Sequence, residues 1–210
     1  MIYLIGGPPK CGKTTLAKQL SKSAGVPWVS TDTIQNVIKP YIPKNDFATM
    51  FPSSTMRFDS NDEKYAKHTS SEIVDAYRCQ ARTVCAAIEA FVDSEVTDGN
   101  DYIIEGFHVE PELIVKLRSK YPELIRGTLV VKKDADAFIK NIHQSKTPND
   151  WIRSKTNDET ITFPRIAAMV VDYGIQLEKD AEENDVTVFG VDQGFESQLH
   201  NAANYLLGTA

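Results

Sequence analysis

Gly6-Gly7-Pro8-Pro9-Lys10-Cys11-Gly12-Lys13-Thr14-Thr15 is the stretch whose reading decides the fold. From Gly7 it runs G-x-x-x-x-G-K-T, and the apolar run Ile2-Tyr3-Leu4-Ile5 stands directly before it. Leu16 and Leu20, four apart and so on one helical face, follow it. Strand, glycine-rich turn and helix are the setting in which this pattern cradles a polyphosphate. Such a loop must aim backbone N–H groups inward, and glycine permits the turn and the close approach. Pro8 and Pro9 have no N–H to give. The donors are therefore expected from Lys10, Cys11, Gly12, Lys13 and Thr14, at a helix N-terminus whose dipole favours anions. Gly7, Lys10, Cys11, Gly12, Lys13, Thr14 and Thr15 are the expected nucleotide contacts. Lys13 is expected to reach the β- and γ-phosphates and the Thr14 hydroxyl to bind Mg²⁺. The stretch thus implies ATP and Mg²⁺ as ligands, with the preference of ATP over GTP left open.

Outward from this loop, strands and helices alternate. Helix is expected from Lys13 to Ala24, stopped by Gly25 and Pro27, then strand at Trp28-Val29-Ser30. A second helix opens at Thr31, where Asp32 and Gln35 have the capping-box spacing. From Pro40 to Ser71 periodicity disappears, and the stretch reads as a substrate-facing insertion with short helical pieces. Ile73, Tyr77, Ala81, Val84, Ile88 and Phe91 mark a long amphipathic helix over about 70–95. Further strands are expected at Tyr102–Glu105, Thr128–Val131 and Val186–Phe189, each followed by helix. The polar stretch of about 144–162 reads as a lid. This order predicts an α/β three-layer sandwich on a parallel sheet, one domain over 1–210, with ligands beyond the carboxyl ends of the strands.

The 210 residues are 41% hydrophobic, enough for a sizeable core. The formal charge of −6 argues against a nucleic-acid or membrane-surface binder, although a local basic site remains open. Cys11, Cys79 and Cys85 form no disulfide framework, no run is long enough to span a membrane, and no signal segment is visible, so a cytoplasmic location is expected. No Cys/His spacing suggests zinc, and the oligomeric state is open.

Around the phosphates, Asp32 follows the second strand and can serve as a helix cap, as the group that takes an acceptor hydroxyl's proton, or as both. Glu105 ends an apolar strand, as a metal-binding acid of this fold does, and is expected to hold Mg²⁺ or contact substrate. Arg153 and Lys155 in the lid are candidates for stabilising the transferring phosphoryl, with Lys146 and Arg165 behind them. Arg78 and Arg82, four apart on one helix, can grip an anionic substrate or pair with nearby acids. His108 is a substrate-binding candidate. Asp192 follows the last strand, near where a nucleotide base is expected.

Four stretches carry a resemblance: Gly6 to Thr15, Val29-Ser30-Thr31-Asp32-Thr33-Ile34, Tyr77-Arg78-Cys79-Gln80, and Ile103-Ile104-Glu105-Gly106-Phe107-His108-Val109-Glu110-Pro111. Together they resemble the small P-loop kinases of metabolites, and within them 2-phosphoglycerate kinase and its relatives. The resemblance implies a five-stranded sheet of order 2-3-1-4-5 and ATP-dependent phosphoryl transfer to a small anionic metabolite. Two other readings stay open. One is a nucleotide or nucleotide-sugar kinase, including toxin-type kinases. The other is a nucleotide-dependent regulatory ATPase, docking a partner through Phe47, Met50, Phe51 and Phe58.

Overall fold

The computed structural model describes residues 1–56, 58–145 and 150–209. In chain order the elements are β1 (Ile2–Gly6), α1 (Lys13–Ala24), β2 (Trp28–Ser30) and α2 (Thr31–Ile38). A 3-10 turn (Lys39–Tyr41) leads to three short helices, α3 (Lys44–Met50), α4 (Pro52–Thr55) and α5 (Asn61–Lys67). Then come α6 (Ser70–Thr97), β3 (Tyr102–Glu105), α7 (Pro111–Lys120), β4 (Ile125–Val131) and α8 (Ala135–Gln144). The chain closes with α9 (Trp151–Ser154), α10 (Glu159–Glu183), β5 (Val188–Gly190) and α11 (Phe195–Leu207).

All strand pairs are parallel, in the order β2-β3-β1-β4-β5 that the resemblance implied. β1 lies at the centre, and all five of its residues are buried, which is why it reads as an unbroken apolar run. The register aligns Ile5 with Glu105, and Glu105 with Ser30. Because the strands are parallel, these ends and the loop after β1 share one edge of the sheet. The apolar stripes of α6 and α10 pack beside each other, with Ile73, Val84, Ile88, Phe163, Ile166, Val170 and Leu177 all buried.

Two strand starts and one helix cap differ from expectation. β4 starts at Ile125, paired with Ile2, and includes Gly127, where a side chain would strike a methyl of Ile114 in α7. β5 begins two residues late, at Val188. The cap of α2 is Ser30, whose hydroxyl accepts from the Asp32 N–H at 3.3 Å. Asp32 is therefore not the capping residue, and Gln35 bonds elsewhere. Part of the insertion also packs inward, although Tyr41 is exposed. Phe51 is fully buried and stacks on Phe47 at 5.4 Å, and Met50 packs on the same core. Of the four residues named for a docked partner, Phe51 is therefore unavailable, while Phe47, Met50 and Phe58 are half-buried.

Candidate active site

The P-loop backbone shows why its glycines are where they are. Gly7 sits at φ 131°, and a side chain on it would run into the Val130 carbonyl of β4. The loop thus lies flat on the sheet edge at a point where no other residue fits. Gly12, at φ 102°, opens α1 and packs its Cα against the Phe195 ring. Lys13 is 8% exposed, and its Nζ donates to the Pro8 carbonyl at 2.6 Å. Lys10 turns the other way, and its ammonium pairs with Asp150 at 2.9 Å. Cys11 lies under the loop, fully buried, and burial pushes its thiol up to about 11 against the opposing charges of Lys13 and Lys132. That position makes it a packing residue and not a reactive thiol.

Above this floor the Thr14 hydroxyl donates to Glu105 Oε1 at 3.0 Å. Glu105 is 3% exposed, and burial raises its pKa although Lys13 and the Thr14 hydrogen bond pull it down; Asp32 adds to the rise as a like charge. In this corner, hydroxyl and buried carboxylate together offer oxygen ligands of the kind a hard divalent cation takes, beside the Lys13 ammonium. Among the described residues no group of three or more His, Cys, Asp or Glu is placed to hold a metal ion.

The corner opens into a cleft of about 1000 Å³. Lys10, Gly12, Lys13, Thr14, Thr15, Asp32 and Glu105 line it, as expected from the sequence. Gly7 and Cys11 of the loop do not, and neither do Arg78, Arg82, His108, Asp192 or Arg153. Arg78 pairs with Glu110 at 3.4 Å and with Asp180, and Glu110 in turn accepts from Tyr173 Oη at 3.0 Å. The acid-paired alternative holds for Arg78, and exposed Arg82 reaches the same Glu110 by charge alone. His108 is fully buried: its Nδ1 faces Thr31 Oγ1 at 2.7 Å and its Nε2 faces Gln35 Oε1 at 2.8 Å. Gln35 Oε1 also accepts from Gln80 Nε2, so His108 donates through Nε2 and accepts the Thr31 hydroxyl at Nδ1. Burial, with the charges of Lys39 and Lys13, holds its pKa down to about 3, so it is a neutral structural group and does not face substrate. Asp192 spends its carboxylate on the N–H groups of Lys133 and Asp134, fixing the loop after β4. Arg153 points outward and donates to the Ser145 carbonyl at 3.4 Å; Lys155 lines the cleft in its place. Lys146 lies outside the described residues, and Arg165 ties α10 to the Tyr65 carbonyl of α5.

The two stretches expected from sequence to be insertion and lid are tied together through residues 61–62 and 151–162. Asn61 Nδ2 donates to the carbonyls of Trp151 and Ile152, both at 3.0 Å, and Asn61 N–H donates to the Lys155 carbonyl at 2.7 Å. Asp62 accepts from the N–H groups of Asn157 and Asp158 and from the Thr162 hydroxyl, at 2.8–2.9 Å. The Asn157 bond, then those of Asp158 and Thr162, hold the Asp62 carboxyl at about 2, below its ordinary 3.8. A depressed folded pKa stabilises above the unfolded value and is lost as pH falls toward the folded one. Asp62→Asn is therefore expected to cost about 1–2 kcal/mol near pH 7, a fall of about 2–8 °C in Tm. The gap from the unsubstituted protein should close between about pH 4 and 2 in thermal melts. A gap of the same size at pH 2 would show that the carboxylate does not hold this joint.

Sheet order and loop together define the P-loop kinase fold. A gluconokinase from Sinorhizobium meliloti superimposes with a TM-score of 0.55 at 13% identity, covering 99% of this chain and 92% of that one. A sugar kinase from Janibacter sp. does so with a TM-score of 0.50 at 15% identity, covering 98% and 93%. In sequence the chain is a distant but consistent relative of 2-phosphoglycerate kinases. That of Pyrococcus horikoshii is 29% identical over 160 residues, 75% of this chain and 52% of that enzyme. That of Methanocaldococcus jannaschii is 25% identical over 185 residues, 85% of this chain and 55% of that enzyme. The chain thus spans about half the length of these curated relatives. No protein-family model matches it.

Proposed function

We propose that the protein is an ATP-dependent kinase that transfers the γ-phosphoryl group to a hydroxyl of a small anionic metabolite resembling 2-phosphoglycerate. The observation that carries this reading is the charge of the cleft. The chain is acidic at −6, yet six lysines line the cleft (Lys10, Lys13, Lys18, Lys64, Lys132 and Lys155) against three acids, Asp32, Glu105 and Asp150. Concentrating positive charge in one concave site of an acidic protein favours ligands that are themselves anions. The P-loop supplies only two of these lysines, Lys10 and Lys13; Lys64 of α5 and Lys155, from segments that Asn61 ties together, line the same cleft with Ser54.

The roles follow from these positions. Lys13 balances charge on the phosphoryl in transit, and Asp32 orients the acceptor hydroxyl and takes its proton. Mg²⁺ held by Thr14 and Glu105 would neutralise the polyphosphate oxygens. Lys64 and Lys155 hold the acceptor's carboxylate or phosphate, and the joined insertion and lid exclude water from the reaction. Support for the acceptor class comes from the lysine-rich lining of the cleft and from the distant 2-phosphoglycerate kinases, not from the sugar-kinase likeness, which concerns the fold.

The test is ADP release from MgATP across a panel of hydroxy acids, phosphorylated hydroxy acids, sugars, nucleosides and nucleotides. Strong stimulation by 2-phosphoglycerate or a close analogue, with the phosphorylated product seen by mass spectrometry, is expected. Stimulation by a nucleoside or nucleotide alone would move the assignment to that kinase class. Absence of stimulation by every compound would end the kinase reading.

A further inference from the structure

Lys132 is the first residue after β4, beyond Thr128, which aligns through Ile5 with Glu105 at the end of β3. It is 3% exposed, and its ammonium lies 5.7 Å from the Phe138 ring centroid and 5.5 Å from that of Phe195. Among the described residues it makes no ion pair. Asp192, the carboxylate within electrostatic range, is committed to the Lys133 and Asp134 amides. Burying a cation without a counter-charge is costly, and two aromatic faces offset only part of that cost. Burial accordingly lowers the Lys132 pKa, with Cys11 and Asp192 opposing the shift. Its side chain nevertheless borders the cleft, beside Gly12 and Phe195.

The sheet order says which part of a ligand it meets. β1 and its P-loop divide the cleft. Glu105, Ser30 and Asp32 lie on the β3–β2 side, where transfer to an acceptor takes place in the reading above. Lys132 lies on the β4–β5 side, next to the start of α1, so it faces the end of the nucleotide that is not transferred. We propose that Lys132 is a nucleotide-binding cation that supplies the missing ion pair to the α- and β-phosphates of a nucleoside di- or triphosphate, with Phe138 and Phe195 holding its ammonium in place. This rests on the nucleotide-binding part of the proposed function and adds a contact shared by substrate and product, distinct from that of Lys13.

A group that binds ATP and ADP alike lowers affinity for both when removed, and the loss sits in KM rather than kcat. Lys132→Met keeps the buried stem and removes the charge. Calorimetric titration is expected to show MgADP and non-hydrolysable MgATP both weakened by about 10- to 100-fold, the span of one charge-assisted contact. The thermal shift that MgADP gives the unsubstituted protein should shrink in parallel. If Lys132→Met does not fold, Lys132→Gln is titrated instead. Equal MgADP affinity in either folded variant overturns the proposal, as does a loss confined to kcat. If the unsubstituted protein itself binds no MgADP, the nucleotide reading falls first, which is a separate outcome.

Discussion

Lys13→Met is expected to abolish useful phosphoryl transfer, by about 10²–10³-fold or more, while leaving the fold intact. Two lysines belong to the P-loop, and the structure separates their tasks. Lys10 would have to break its pair with the buried Asp150 to reach a phosphate. Lys13 has only the neutral Pro8 carbonyl to leave, and its Nζ already lies under the Thr14–Glu105 corner. An ammonium exchanging one carbonyl for the oxygens of a transferring phosphoryl gains most when negative charge spreads over them. Methionine fills the same buried channel without the charge, so thermal melts should barely move. Melting and acceptor-stimulated ADP release should be measured on the same preparation. Turnover near that of the unsubstituted protein, from a folded Lys13→Met, would remove the P-loop from the chemistry.

The parts of this site that were legible in the sequence are those fixed by short-range backbone rules. Gly7 and Gly12 mark a loop whose dihedral angles and clearances admit no other residue, so pattern and geometry coincide. Helix α1 could be bounded at both ends for the same reason, and an apolar run ending in Glu105 could be placed at a strand terminus. What was not legible is the direction in which a polar residue faces once helices pack. His108 follows a strand end just as a ligand would, but its loop folds under Thr31 and Gln35, and burial makes the imidazole a neutral brace. Arg78 and Arg82 share a helical face, yet that face meets Glu110 and Asp180, far apart from them in sequence. The joint between Asn61, Asp62 and the lid spans about ninety residues of chain and left no local signal. Lys132 did leave one, since it is the first residue past a buried strand at the ligand edge. A strand-end rule applied to cations as well as acids would have found it.

Asp32→Asn is the substitution that divides catalysis from binding most cleanly. Had Asp32 been the helix cap, loss of turnover could have been confused with a loosened α2. The cap is Ser30, and Asp32 sits in the first turn with its backbone N–H on the Ser30 hydroxyl. Asparagine keeps that N–H and the side-chain shape. It gives up one acid from the first turn of a helix, which costs only about 0.3–1 kcal/mol at an exposed site. As the group that takes the acceptor's proton, Asp32 should contribute about 10²–10⁴-fold to transfer. The expected result is thus a fall of that order in acceptor-stimulated kcat. Tm should move by no more than about 4 °C, and MgADP affinity should be the same or slightly higher, because a negative charge beside Glu105 has been removed. The low background hydrolysis of ATP without acceptor should hardly change, since no acceptor proton is involved in it. Acceptor stimulation that survives in Asp32→Asn would take Asp32 out of the mechanism while leaving the kinase assignment standing. A parallel loss of MgADP binding would show instead that the carboxylate organises the nucleotide and not the acceptor.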